Sequence, residues 1–162
     1  MHALVKTSLI VTSIALSMPL PASAKKVAAS PLWSGTWQLN VAASKLTPPV
    51  GKRSETRIYV VTGNEISVKA TGTDATGKAL QYSYAGPFDG KPYPMIGNPV
   101  GDKIALTLVN PLRADATVTM GKTVTAMSSS NISPDGKHLT LKRRTLRAKA
   151  APAMELLEFD KK

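Results

Sequence analysis

Apolar and polar residues alternate one for one along most of this chain, and that period admits a sheet and little else. Glu65-Ile66-Ser67-Val68-Lys69-Ala70 puts Ile66, Val68 and Ala70 on one face and their neighbours on the other. Leu80, Tyr82 and Tyr84 alternate with Gln81 and Ser83. Ile104, Leu106 and Leu108 do so with Ala105 and Thr107, and Ala116, Val118 and Met120 with Thr117 and Thr119. A period of two turns one face to a core and the other to water. No segment carries an apolar stripe of period 3.6.

Glycine turns separate these runs. Gly-Lys occurs at Gly51-Lys52, Gly77-Lys78, Gly90-Lys91, Gly121-Lys122 and Gly136-Lys137. Asp89 and Asp135 precede two of them. Asp-Gly favours a two-residue hairpin turn, because both residues tolerate φ > 0. Gly63-Asn64 is a further short connection. The expected strands are Thr36–Val41, Glu55–Val61, Glu65–Thr71, Lys78–Tyr84, Lys103–Val109, Asp115–Met120, Lys122–Ser129, Lys137–Leu146 and Met154–Phe159, with a tenth around Tyr93–Ile96. Strands joined in sequence by short hairpins form an antiparallel meander, and closure into a barrel removes its edges. The expected fold is all-β, an antiparallel meander barrel of eight to ten strands. Gly86–Gly101 is the long irregular stretch, half of it Gly or Pro. Its apolar residues either plug one barrel end or form a lid.

The first 24 residues read as an address. Lys6 gives a positive start, Ser8 to Leu20 is mostly apolar, and Ala22-Ser23-Ala24 offers a small-x-small cleavage site. The apolar run falls short of the ~20 residues that span a bilayer. The expected organisation is a signal peptide over 1–24, a flexible N-terminus over 25–32 and a barrel domain over 33–162. Cleavage would place the protein in the periplasm or outside the cell, with no transmembrane segment after the leader is lost. The chain has no cysteine. Disulfides, thiolate metal sites and a lipid-bearing cysteine after the leader are therefore excluded. Loss of Lys6 takes the net charge from +11 to +10. Such a charge favours anionic surfaces, which in that compartment means lipid or polysaccharide and not nucleic acid.

The residues for catalysis are sparse. His138 is the one histidine beyond the leader and follows a turn, where a solvated polar residue is expected. No Gly-x-Ser-x-Gly elbow is present. One histidine without cysteine does not make a zinc site. Gly121-Lys122-Thr123 and Gly51-Lys52-Arg53-Ser54 lack the earlier glycine of a phosphate loop and sit between strands. The chain is expected to be no enzyme and to use no cofactor or metal. Its densest charge is Lys142-Arg143-Arg144, continuing to Arg147 and Lys149. Alternation sets Arg143 on the face of Leu139 and Leu141. Facing inward, it would need a carbonyl, an aromatic face or a bound anion. A register slip of one residue would give that place to Arg144.

Three motifs carry a resemblance: Gly35-Thr36-Trp37-x-Leu39-Asn40-x-x-x-Ser44-Lys45, Asp89-Gly90-Lys91-x-Tyr93-Pro94-x-x-Gly97, and Ser133-Pro134-Asp135-Gly136-Lys137-x-Leu139-Thr140. The chain resembles a family of small secreted bacterial proteins with a lipocalin-like, calycin-type fold, most of unknown function. The resemblance implies that Trp37 closes one barrel end beneath an arginine from a late strand, here Arg143. It supplies no catalytic or binding residues. The last segment departs from the family: Ala148–Met154 is Ala-rich, and Met154–Phe159 reads equally as a helical turn. That segment also lacks the Arg-x-Tyr with which related lipid carriers grip a carboxylate. The expected role is non-catalytic binding of a small apolar or amphiphilic ligand inside the barrel. Ile66, Val68, Leu106 and Val118 would line it, and Arg143, Tyr82, Tyr84, Phe88 and Tyr93 would contact the ligand. The alternative is a basic envelope module that meets anionic lipid or polysaccharide.

Overall fold

The computed structural model describes residues 27–46, 53–147 and 150–162. The leader, Gly51-Lys52 and Lys149 lie outside the described residues. Ten antiparallel strands follow one another: β1 (Gly35–Leu39), β2 (Ser54–Thr62), β3 (Glu65–Thr73), β4 (Ala79–Pro87), β5 (Asp89–Ile96), β6 (Lys103–Asn110), β7 (Arg113–Met120), β8 (Thr123–Ile132), β9 (His138–Arg147) and β10 (Ala150–Lys161). Each pairs with the next, and β10 pairs with β1, so the meander closes into a barrel. The alternating residues meet the core as their period requires. Ile66, Val68, Ala70, Ile104 and Leu106 are buried, while Glu65, Lys69, Lys103 and Thr107 face water. Met154–Phe159 is strand, with Leu157 and Phe159 fully buried.

Gly86–Gly101 holds more order than its composition suggests. It ends β4 and contains all of β5. Gly90-Lys91 is not a hairpin turn but lies inside β5, where the register against β6 shifts between Asp89 and Pro92. Gly90 sits there at φ 77°, a conformation glycine takes without a Cβ clash. The prolines have a consequence. Met95 N–H bonds toward the β6 side, to Asp102 O. Alternation then directs the nitrogens of Pro92 and Pro94 toward β4, where neither can donate. Pairing of β4 with β5 is limited to Ser83–Ile96 and Tyr84–Met95. Elsewhere backbones approach closely. A Cβ on Gly72 of β3 would lie 2.0 Å from Ser54 O of β2.

One barrel end is plugged. Pro31–Trp33 forms a single 3-10 turn capped by Ser30. Ser30 N and Trp33 Nε1 both donate to Pro111 O, at 2.9 Å. These bonds tie down residues 30–32, which the sequence suggested were part of a flexible N-terminus. Trp33 stacks on Tyr59 and tilts against Phe88, each at 6.4 Å between ring centres. Trp37 is fully buried, and its Nε1 donates to Trp33 O at 2.9 Å. The cation over its indole is Lys161, with Nζ 5.0 Å from the ring, and not Arg143. Register explains the difference. Lys161 is the direct partner of Trp37, whereas Arg143 lies five residues beyond His138, about 16 Å along β9 at the usual strand rise. The opposite end, ringed by the turns after β3, β5 and β7, forms the mouth.

Trp37 thus holds the plug to the wall through both packing and its indole bond. Trp37→Ala should lower unfolding stability by ~3–5 kcal/mol, read from the urea midpoint at unchanged slope.

Candidate functional site

The second strand is built inside out. Glu55, Arg57 and Tyr59 of β2 point into the barrel and are buried, while Ile58 and Val60 are 48% and 53% exposed. A charged pair placed inside must satisfy itself, because desolvating an ion without a partner costs several kcal/mol. Arg57 Nε donates to Glu55 Oε1 at 2.7 Å, and Nη1 donates to the Tyr59 hydroxyl at 3.2 Å. Its guanidinium carbon lies 4.6 Å from the Phe159 ring centre and 6.0 Å from that of Tyr82. The Tyr82 hydroxyl donates to Glu55 Oε1 at 2.7 Å. Burial alone would raise the Glu55 carboxyl. Arg57, the Tyr82 hydroxyl and the more distant Arg143 overcome it and hold Glu55 below its ordinary value. Burial pushes the Tyr82 and Tyr84 phenols up, so both stay protonated at neutral pH.

A second ionic group stands at the mouth. Glu155 of β10 accepts Arg53 Nη1 on one oxygen at 2.6 Å. Its other oxygen accepts Arg143 Nε and Nη2, at 2.9 and 2.6 Å. Arg143 is therefore inward-facing as alternation required, and its acceptor is a carboxylate. Burial works to raise Glu155, but the two arginines bring it below its ordinary value. Arg53 approaches from just before β2, although β1 stands between β2 and β10 further down. The strand β1 ends at Leu39, and past that point the Arg53–Glu155 pair spans the two neighbours.

Two neighbouring spaces lie between these groups. The interior cavity measures about 70 Å³. Arg57, Tyr59, Tyr82 and Tyr84 form one wall, and the small side chains Ala114, Ala116, Ala126, Ser128 and Ser130 form another. The mouth hollow measures about 310 Å³ and is lined by Arg53, Glu55, Leu80, Tyr82, Arg143 and Thr145, with Asp74–Thr76 and Asn98–Val100 at its rim. Both spaces share Tyr82, Asn98, Val100 and Arg143.

Of the ligand contacts expected from sequence, Arg143, Tyr82, Tyr84 and Phe88 line the interior cavity. Phe88 does so from the plugged end, as a plug and not a lid. Tyr93 stands apart: its ring packs over Gly86 and its hydroxyl donates to Asp89 Oδ2 at 2.9 Å. Ile66, Leu106 and Val118 also face the cavity, and Val68 lies in the surrounding core. Arg144 is exposed on the outer face. His138 is exposed and meets Asp160 at 3.0 Å. Glu55, Arg57, Tyr59, Arg53 and Glu155 were not singled out from sequence. The signal was present in the i, i+2 spacing of Glu55, Arg57 and Tyr59, but nothing in it told which face of β2 is inner.

No family model matches the sequence, and no curated protein matches it. Solved structures do. A zebrafish ileal bile acid-binding protein complexed with cholic acid superposes with a TM-score of 0.53 at 14% identity, over 81% of this chain and 99% of that one. The structure EF1p2_mFAP2b bound to DFHBI covers 81% of this chain and 94% of its own, at 11% identity and a TM-score of 0.47. The likeness is one of fold. The chain is a ten-stranded calycin-type barrel. Among the described residues of this barrel, no helix is long and apolar enough to cross a membrane.

The buried carboxylates set an acid limit. Each has a folded value below the ordinary 4.5, so the unfolded chain binds more protons as pH falls through that region. Their stabilisation is complete above about pH 5 and is lost below it. The melting temperature should drop between pH 5 and 3. Glu155→Gln should flatten that drop, and an unchanged slope in the variant would count against this assignment.

Proposed function

We propose that the barrel is a non-catalytic binder of a small amphiphilic molecule received at its mouth. The observation that carries this reading is the lining shared by the mouth hollow and the interior cavity, which sets an aromatic interior directly behind an open hollow. Small-molecule pockets usually measure about 300–1,000 Å³. The mouth at about 310 Å³ reaches that range, and the interior at about 70 Å³ does not. The ligand therefore rests mainly in the mouth and extends one small group inward past Tyr82. The zebrafish barrel with cholic acid supports the reading as an instance of this architecture holding a ligand.

Filling the inner space provides the test. Ser128 lines the small-residue wall, and Ser128→Leu would occupy the cavity while keeping an apolar contact surface. Protein purified from its own host should carry a ligand adduct in native mass spectra, and the folded Ser128→Leu variant should carry less of it. Bare protein in both spectra would remove the support for a carrier.

We also infer export by the leader, supported by the apolar run Ser8–Leu20 and the Ala22-Ser23-Ala24 site. The intact mass of the native protein should correspond to a chain starting at Lys25, and a full-length mass would reject cleavage. A second role, docking on anionic lipid or polysaccharide, draws support from Lys142 and Arg144, exposed on the outer face of β9 near Arg113 of β7. Such binding should weaken as salt screens those charges.

A further inference from the structure

We propose that the mouth is an anion site, so that the ligand binds with its acidic group outward and its apolar part toward the interior; this rests on the reading of the barrel as a small-ligand binder. The argument begins with charge. Deep in the barrel, Glu55 neutralises Arg57. At the mouth, two arginines share the single carboxylate of Glu155. Among the described residues one positive charge is left over, in a wall where the side chains of Arg53 and Arg143 are only 12% and 23% exposed. Asp74 stands at the rim but does not cancel it. Its Oδ1 accepts Thr76 N, Thr76 Oγ1 and Lys78 N within its own turn, and among the described residues no ion pair joins it to Arg53 or Arg143.

Donor geometry points the same way. Glu155 engages Arg53 through Nη1 and Arg143 through Nε and Nη2. Among the described residues, Arg53 Nε and Nη2 and Arg143 Nη1 donate to nothing. A guanidinium carries five N–H donors in a fixed fork and has no acceptor. Its spare donors in a half-buried wall favour an oxyanion, and charge-assisted bonds of this kind are the strong ones. Glu155 fixes the fork of each arginine before any ligand arrives, which lowers the ordering cost of binding. The apolar lining of the hollow comes from Leu80 and Tyr82 on its wall and Val100 at its rim, and the Tyr82 ring also lines the aromatic interior cavity. A ligand with an acidic head and a short apolar tail matches both halves.

A carboxylate and a phosphate monoester share this chemistry. Isothermal titration of the protein as purified from its own host, stripped of any bound ligand, with octanoate, octyl phosphate and octanol separates them. The two anions should bind about tenfold or more tightly than octanol, the ratio that loss of one charge-assisted bond gives. The stronger of the two identifies the head group. Arg143→Gln and Arg53→Gln should each bring the anions toward the octanol level and leave octanol unchanged; each leaves Glu155 with one arginine, so the wall stays paired. Glu155→Gln removes the competing carboxylate and should strengthen anion binding. Melting curves confirm that each variant is folded. Octanol binding as well as octanoate would overturn the anion site while leaving the barrel-binder reading intact. Failure of all three to bind would sink that broader reading as well. Unchanged octanoate affinity in both folded arginine variants would show the pair to be structural only.

Discussion

A guanidinium sealed within a barrel dictates much of what surrounds it. Arg57 needs a carboxylate at bonding distance, and Glu55 supplies it from the same strand two residues away. Glu55 in turn takes the Tyr82 hydroxyl, Arg57 takes the Tyr59 oxygen, and Phe159 offers its ring face. These groups come from β2, β4 and β10, so the ion pair ties together strands far apart in the chain. Replacing such a pair with apolar residues is often neutral, whereas breaking it by removing one partner is costly. The network therefore does more to define one arrangement of the interior than to add net stability. It also explains the cavity. Arginine and tyrosine fill one side, and the small alanine and serine side chains of β7 and β8 opposite leave space open between them.

Architecture could be read from the sequence because a strand displays its two faces in its own composition. Ile66, Val68 and Ala70, or Ile104 and Leu106, need no partner to reveal which side is buried. The errors arise where partner geometry decides. Asp89-Gly90 has hairpin chemistry but serves as a bulge, because the chain bends at Phe88 and Asp89 is already paired with Thr107 of β6. Pro92 and Pro94 lie in a stretch read as irregular, with at most a short strand around Tyr93–Ile96, yet both belong to β5. They fit because their missing donors face the weakly paired β4 side. The residues over Trp37 followed the same rule. Arg143 and Lys161 are both late cations on inward positions, and the register of β10 against β1 selects Lys161.

The candidate site was harder to read for a related reason. Tyr82, Tyr84, Phe88 and Arg143 stand out as aromatic or charged residues in an alternating frame. Glu55 and Arg57 look like surface residues of an ordinary strand, since Ile58 and Val60 could equally have formed the core face. Only closure of the barrel decides, by aligning Arg57 with Ala70 of β3 and, through it, with Tyr82 of β4. Glu155 was hidden in the same way. Its segment read as either helix or strand, and only the strand places it opposite Arg143.

Closure and opening are linked at the mouth. A barrel of this kind gains by pairing every edge. Here β1 stops at Leu39 while β2 and β10 run on toward the mouth. The described chain rejoins β10 at a single bridge, Lys45 to Leu156. Among the described residues no backbone pairing joins β2 to β10 past that point, and Arg53 with Glu155 does so by side chains. A ladder of backbone bonds would have used its donors on the neighbouring strand. A guanidinium uses some and keeps others. The same side-chain pairing that seals the seam therefore leaves charge and hydrogen-bond donors beside the hollow, next to Tyr82. Lengthening β1 to pair fully would make the seam more regular at the expense of those donors.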